Sequence, residues 1–353
     1  MLTFLIMAGG SGERFWPLST KSHPKQLLHI FNEKSLIRLT YERILPICNN
    51  EHIFIATNEI QANAVKNEIP ELDNSRIIIE PGFKDTASAI SYGSLIISKY
   101  INDATIAVLA SDALIKDEVE FRKILNIAEN EAGNNNIVTL GIKPLYPEIG
   151  YGYIEANSKK LNTPTKVIAF KEKPNLEVAE KYFKSGKYYW NSGMFVFKYS
   201  VILDALKMYS PNHYETSLEL SKLINKNEGF ETANIVKDTF NKFEKKSIDF
   251  AVMEYAKNIM VIPCSIGWND VGSFLAFEEL FNKDSNGTVV RNTTVISVDS
   301  NNNIVISDGR YQNVALLGVN NMIVVVTKDN ILVCDKFSNQ NIKKIIAEIN
   351  KKK

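Results

Sequence analysis

Cysteine is scarce in this sequence. Cys48, Cys264 and Cys334 are odd in number, far apart and form no CxxC pair, so neither a disulfide framework nor a structural zinc site is expected, and a reducing, cytoplasmic setting fits best. Charge of one sign is also lacking. The formal net charge is +1, which gives no general attraction to nucleic acid or to an anionic membrane, and the run Lys351 to Lys353 reads as a solvated tail. No window approaches the roughly 18 uninterrupted apolar residues of a membrane span. The opening MLTFLIMAGG is too short for a signal-peptide core and has no basic leader. These absences predict a cytoplasmic protein whose partners are neither nucleic acid nor membrane.

Hydrophobic residues at 45% and charged residues at 23% are ordinary for a globular protein. A length of 353 residues accommodates two domains, or one large domain with an appendage, around a sizeable core. Apolar strands alternate with amphipathic helices through the first 141 residues. Strands are predicted at Leu2 to Ile6, Ile53 to Ala56, Arg76 to Glu80, Thr105 to Leu109 and Ile137 to Gly141; helices are predicted at Ser35 to Leu45, Ile60 to Ile69, Thr86 to Tyr100 and Val119 to Ala132. That alternation predicts an α/β fold, Rossmann-like, with a mixed, mostly parallel sheet covered on both faces. Ligands of such sheets bind beyond the carboxyl ends of the strands.

The strand ends are therefore the places to look. Gly9, Gly10 and Gly12 follow the first strand and allow successive N–H groups to turn toward one point, an arrangement that binds anions. Arg14 and Lys25 add positive charge nearby, and Pro17 and Pro24 stiffen the return. The spacing excludes two familiar phosphate loops: Gly12 is followed by Glu13 and Arg14 rather than Lys-Ser/Thr, and Phe15 stands where the dinucleotide fingerprint needs Gly or Ala. Glu80 and Pro81 end the third strand. Asp112 lies just past the fourth, where it could hold a divalent cation or serve as a cap or turn residue. Asp270, in GWNDVG, could be a second metal ligand or a turn aspartate.

Between these, GYGYIE from Gly150, TKVIAFKEK from Thr165 and NSGMFVFK from Asn191 read as strands of a second lobe, interrupted by a helix from Leu176 to Phe183. Ser200 to Lys257 is mainly helical and charged, and Glu254 within it could contact a ligand or simply face solvent. Beyond Asp284 short β segments recur about every ten residues, favouring a small all-β unit, closed by a helix from Asn339 to Ile349. The expected domains are 1–283 and a β-rich 284–353.

Taken in order, AGGSGERFWPLS with PKQLL, EPGFKDTASAI, LASDALI, GIKPLYPEIGYGYI, FKEKP, WNSGMFVF, SIDFAVMEYA and GWNDVGSF resemble the motifs of the bacterial mannose-1-phosphate guanylyltransferases over nearly the whole chain. The resemblance implies the reaction of GTP with mannose 1-phosphate to GDP-mannose and pyrophosphate, by in-line attack on the α-phosphorus. It implies that Gly9, Gly10, Ser11 and Gly12 line the nucleotide phosphates, that Arg14 meets the departing pyrophosphate, and that Lys25 meets the α-phosphate and sugar phosphate. Asp112 and Asp270 would hold Mg²⁺. Glu80 would accept from guanine, with Pro81 and Thr86 beside it on the nucleotide. Gly152, Glu172 and Asn191 would bond hexose hydroxyls and Lys173 the sugar phosphate, although Glu172-Lys173 alone also reads as an exposed ion pair.

Two departures from the family pattern stand out. Lys84-Asp85 replaces a usual Arg-Asn, implying fewer fixed donors and an added negative charge near phosphates, so that GTP affinity or base preference can differ. The histidines are His23, His29, His52 and His213, so no cluster of the kind needed by the cupin-type isomerase of longer relatives is expected after His213. A short, single-activity form, dimerising through its β tail as a homodimer, is the expectation. Guanylyl transfer to another sugar, such as a manno-heptose 1-phosphate, and a non-catalytic sensing subunit are the alternatives.

Overall fold

The computed structural model describes every residue except Ser11, Phe31, Asn32, Lys159, residues 225–233, residues 310–312 and residues 352–353. Ser11 of the glycine stretch and the end of the lysine tail thus lie outside the described residues. The chain forms two compact units. The first comprises Met1–Gly9, Tyr41–Ser111 and Ile115–Trp268, and the second Gly10–Thr40, Asp112–Leu114 and Asn269–Lys353.

The first unit is built on nine strands: β1 (Leu2–Met7), β2 (Ile53–Asn58), β3 (Ile77–Glu80), β4 (Thr105–Ala110), β5 (Ile137–Ile142), β6 (Tyr153–Ala156), β7 (Thr165–Lys171), β8 (Tyr188–Lys198) and β9 (Ile259–Cys264). Their order is β3-β2-β1-β4-β8-β5-β9-β7-β6, with β6 also pairing β8. The near-continuous apolar runs of β1, β2 and β4 are buried along their length, as strands covered on both faces must be. β1, β2, β3 and β4 are mutually parallel, as are β5 and β9. β8 runs antiparallel to β4, β5 and β6, and β7 antiparallel to β9 and β6. Seven strands therefore share one direction and only β7 and β8 oppose it.

Some helices between the strands begin where a side chain replaces a missing backbone partner. Asn58 Oδ1 accepts from the Gln61 N–H before the helix Glu59–Glu68, and Asp117 Oδ1 from the Glu120 N–H before Glu118–Gly133, each cap contributing about 1 kcal/mol. Two boundary shifts bear on candidate site residues. β6 begins at Tyr153, so Gly150 to Gly152 form the loop before it. β8 begins at Tyr188, which places Asn191 inside the strand.

In the second unit Phe15, Leu28, Leu36, Val271, Phe274 and Phe277 form one core with Val289, Ile304, Ile306, Ile323 and Val325. Phe15 and Phe274 pack as tilted rings 5.0 Å apart. Burying side chains of this size stabilises by about 1.5–3 kcal/mol each. The β segments are β10 (Val289–Arg291), β11 (Thr294–Val298), β12 (Ile304–Ser307), β13 (Asn313–Leu317), β14 (Met322–Val326) and β15 (Ile331–Asp335). Successive turns stack in parallel: β10 on β12 on β14, and β11 on β13. β15 turns back, antiparallel to β14. The closing helix begins at Ile342 rather than Asn339, because Asp335 caps a tighter turn, Lys336–Asn341, ahead of it.

Candidate active site

In the first unit β1 and β3 deliver Gly9 and Glu80 to the carboxyl end of the sheet. A Cβ on Gly9 would lie 3.4 Å from Glu80 Oε1, so the glycine leaves room for the carboxyl. Glu80 is half-buried, and desolvation pushes its carboxyl up to about 8. Pro81 follows it directly. Thr86 Oγ1 accepts from the Ile248 N–H at 2.9 Å. The departing pair is already engaged: Lys84 Nζ donates to the Asn241 carbonyl at 2.7 Å, and Asp85, at φ +71°, accepts from the Thr86 N–H at 2.7 Å.

A second cluster in the same unit gathers Gly152, Glu172 and Asn191. The Asn191 N–H donates to the Gly152 carbonyl at 2.8 Å. A Cβ on Gly152 would meet Glu172 Oε2 at 2.7 Å and Asn191 Cβ at 3.5 Å, so this glycine permits close approach of its neighbours. Lys173 Nζ pairs with Glu172 Oε1 at 3.1 Å, with 63% of the lysine side chain exposed. Sequence reasoning missed Asp249, which accepts from Asn191 Nδ2 at 2.8 Å. Desolvation raises its carboxyl, the Asn191 hydrogen bond opposes that, and the charges of Glu172 and Glu254 add to it. Its sequence signal is SIDFAVMEYA, which carries Asp249 beside Glu254.

The second unit holds Gly10, Gly12, Arg14, Lys25, Asp112 and Asp270. Lys25 is a buried cation, its side chain 8% exposed. Its ammonium donates to the Asp270 carbonyl at 2.7 Å and the Val271 carbonyl at 3.2 Å, and lies 2.9 Å from Asp112 Oδ2. Three donors thus meet three oxygens, which is what a buried ammonium requires. Gly12 sits at φ +60°, and a Cβ there would fall 2.5 Å from the Lys25 backbone nitrogen. The loop closes on itself through Ser19 Oγ to the Gly12 carbonyl, 2.7 Å, and Gln26 Nε2 to the Gly10 carbonyl, 3.3 Å. Arg14 Nη1 approaches the Gly272 carbonyl at 3.5 Å.

The turn after Asp270 is strained. Val271 has φ +48°, a conformation that costs a β-branched residue on the order of 1–3 kcal/mol. Asn269 Oδ1 and Asp270 Oδ1 hold it by accepting from the N–H groups of Val271 and Gly272, at 2.8 and 3.1 Å.

Comparison with known proteins decides the family. The model described as Nucleotidyl transferase matches residues 3–287, and that described as MannoseP isomerase/GMP-like beta-helix domain matches residues 293–349. The chain belongs to the nucleotidyl transferase family. It is 38% identical over 352 residues to mannose-1-phosphate guanylyltransferase RfbM of Salmonella typhimurium, covering 97% of this chain and 71% of that one. It is 35% identical over 357 residues to the mannose-1-phosphate guanylyltransferase of Klebsiella pneumoniae, covering 98% and 73%. A solved structure from Thermus thermophilus, described as a mannose-1-phosphate geranyltransferase, superposes with a TM-score of 0.88 at 29% identity over 99% of both chains. This nucleotidyltransferase therefore joins a Rossmann-like α/β domain to a C-terminal β-helix-like domain. Among the described residues, no helix is long and apolar enough to cross a membrane.

Proposed function

We propose that this nucleotidyltransferase moves GMP from GTP to α-D-mannose 1-phosphate, releasing pyrophosphate and GDP-mannose. The observation that carries the reading is Lys25, a buried ammonium bracketed by the two segments that bear Asp112 and Asp270. A phosphate oxygen of the sugar phosphate attacks the α-phosphorus, one P–O bond forms, and the bond to the β-phosphate oxygen breaks. Lys25 places a compact positive charge on the phosphates being exchanged. Arg14 takes the leaving pyrophosphate, and the N–H groups of Gly9, Gly10 and Gly12 line the nucleotide phosphates.

The donor set suits Mg²⁺. Asp112 and Asp270 offer hard carboxylate oxygens, and among the described residues no group of three or more His, Cys, Asp or Glu is placed to form an all-protein metal cage. One or two carboxylates completed by substrate phosphates and water is the usual manner of holding Mg²⁺. When bound there, the ion would neutralise charge developing on the phosphates. In the first unit Glu80 accepts from the guanine N1–H and N2–H₂ groups, flanked by Pro81 and Thr86. Gly152, Glu172 and Asn191 meet the hexose hydroxyls, and Lys173 the sugar phosphate.

On this reading residues 1–283 are catalytic, and residues 284–353 are the β-rich domain through which a cytoplasmic homodimer forms. Pyrophosphate release, measured with four nucleoside triphosphates crossed against mannose, glucose and manno-heptose 1-phosphates, tests it. Highest turnover is expected for GTP with mannose 1-phosphate. Faster turnover of the heptose phosphate would reassign the sugar, and binding of GDP-mannose without pyrophosphate release under any metal condition would make the protein a sensor.

A further inference from the structure

Asn191 is held from two sides. Its Oδ1 accepts from the Gly193 N–H at 3.1 Å, and its Nδ2 donates to Asp249 Oδ1 at 2.8 Å. Flipping the carboxamide would set an oxygen against a carboxylate and an NH₂ against an N–H, so one orientation is enforced. Beyond these two partners, the carboxamide keeps one further N–H and one further lone pair.

Asp249 is itself firmly placed. It opens Asp249–Met253, a segment in the wide π form, which recurs at functional sites. The residues just before it are tied to the Thr86 loop. Ile248 donates to Thr86 Oγ1 at 2.9 Å, the Ala87 N–H to the Lys246 carbonyl at 3.2 Å, and the Lys246 N–H to the Lys84 carbonyl at 3.3 Å. A half-buried carboxylate held close to Glu172 is electrostatically costly. A core-filling role alone would be met at lower cost by an apolar residue or by asparagine.

We propose that Asp249 is a positioning and specificity residue for the sugar phosphate, fixing the Asn191 carboxamide in the orientation that hexose hydroxyls pair with. The proposal rests on the reading of Asn191 as a hexose contact. A hydroxyl both donates and accepts, and a fixed carboxamide with one donor and one acceptor left rejects an epimer whose hydroxyl points elsewhere. A carboxamide free to rotate satisfies either epimer and must be ordered each time, so the loss falls on the sugar phosphate and not on GTP.

The test compares wild type, Asp249→Asn, Asp249→Ala, Asn191→Ala and the double alanine variant in pyrophosphate release with mannose and glucose 1-phosphates. Asp249→Ala is expected to raise KM for mannose 1-phosphate about ten-fold or more, to leave KM for GTP within about two-fold, and to narrow the preference for mannose over glucose. Asp249→Asn, which keeps an acceptor but not the charge, falls between. The double variant is no worse than Asn191→Ala alone, because both act through one carboxamide.

An active wild type whose Asp249→Ala variant changes neither KM, raises both equally, or adds its loss to that of Asn191→Ala overturns the proposal by itself. A wild type inactive on every sugar phosphate overturns the functional reading and this proposal with it. Should Asp249→Ala not fold, the near-isosteric Asp249→Asn decides through the same KM split, and an unchanged sugar KM and preference counts against the proposal.

Discussion

Lys25 Nζ lies 2.9 Å from Asp112 Oδ2 while donating at 2.7 Å to the backbone carbonyl of Asp270. One ammonium therefore reads the position of both proposed metal-binding segments. Removing it by Lys25→Ala is expected to lower kcat by about 10²–10³-fold, the usual cost of deleting a preorganised group that stabilises transition-state charge. Lys25→Arg should not restore activity, because a planar fork cannot reproduce three bonds from a single nitrogen to three convergent oxygens. The Asp112 side chain is 47% exposed and can be rehydrated, so folding should survive. Pyrophosphate release together with a thermal melt separates the two effects, and wild-type activity in Lys25→Ala would remove Lys25 from the reaction.

The glycines of the loop are not equivalent. A Cβ on Gly10 meets nothing within 4 Å, whereas one on Gly12 falls 2.5 Å from the Lys25 backbone nitrogen, at φ +60°. Gly12→Ala is therefore expected to cost about 1–2 kcal/mol for the left-handed conformation alone, with displacement of Lys25 and loss of turnover in addition. Gly10→Ala should leave the melting temperature close to wild type. A Gly10→Ala variant less stable than Gly12→Ala contradicts this packing.

What the sequence made legible, and what it hid, follows from the range of each interaction. β1, β2 and β4 announced themselves through continuous apolar runs, and the short strands from Val289 to Asp335 through regularly spaced Asn, Asp and Gly. The direction of β8 was not written in Tyr188–Lys198, since orientation depends on which neighbours a long connection allows. Asp249 was missed because its partner Asn191 lies 58 residues away and it stands in a mainly helical, charged stretch where one more acidic residue carries no distinct signal. The φ of Val271 ran against its sequence, a β-branched residue promising extended backbone. Glycine spacing alone could not separate the roles proposed for Gly12 and Lys25, which rest on the resemblance.

Metal dependence follows from the donor set. Chelation with EDTA should abolish pyrophosphate release, and Mg²⁺ should restore it. Asp270→Asn keeps an acceptor for the Gly272 N–H but loses the carboxylate, so the Mg²⁺ concentration for half-maximal rate should rise on the order of ten-fold or more. A metal titration at saturating substrates measures this. Full activity in EDTA would count against Asp112 and Asp270 as metal ligands.

Glu80 provides a pH test with a definite sign. Burial raises its carboxyl from 4.5 to about 8 in the folded protein, so between those values the folded state holds a proton that the unfolded chain releases. Its contribution to stability is fully present below about 4.5 and is lost as pH rises through about 8. Glu80→Gln cannot ionise, so the variant should gain melting temperature relative to wild type between pH 5 and pH 8, the gap levelling off above. Nucleotide binding should move the other way. A carboxylate that accepts from guanine must first lose its proton, so KM for GTP in the wild type should fall as pH rises from about 6.5 to 8.5, and KM in Glu80→Gln should be higher and flatter. Parallel pH profiles of wild type and Glu80→Gln for both quantities would detach Glu80 from the base.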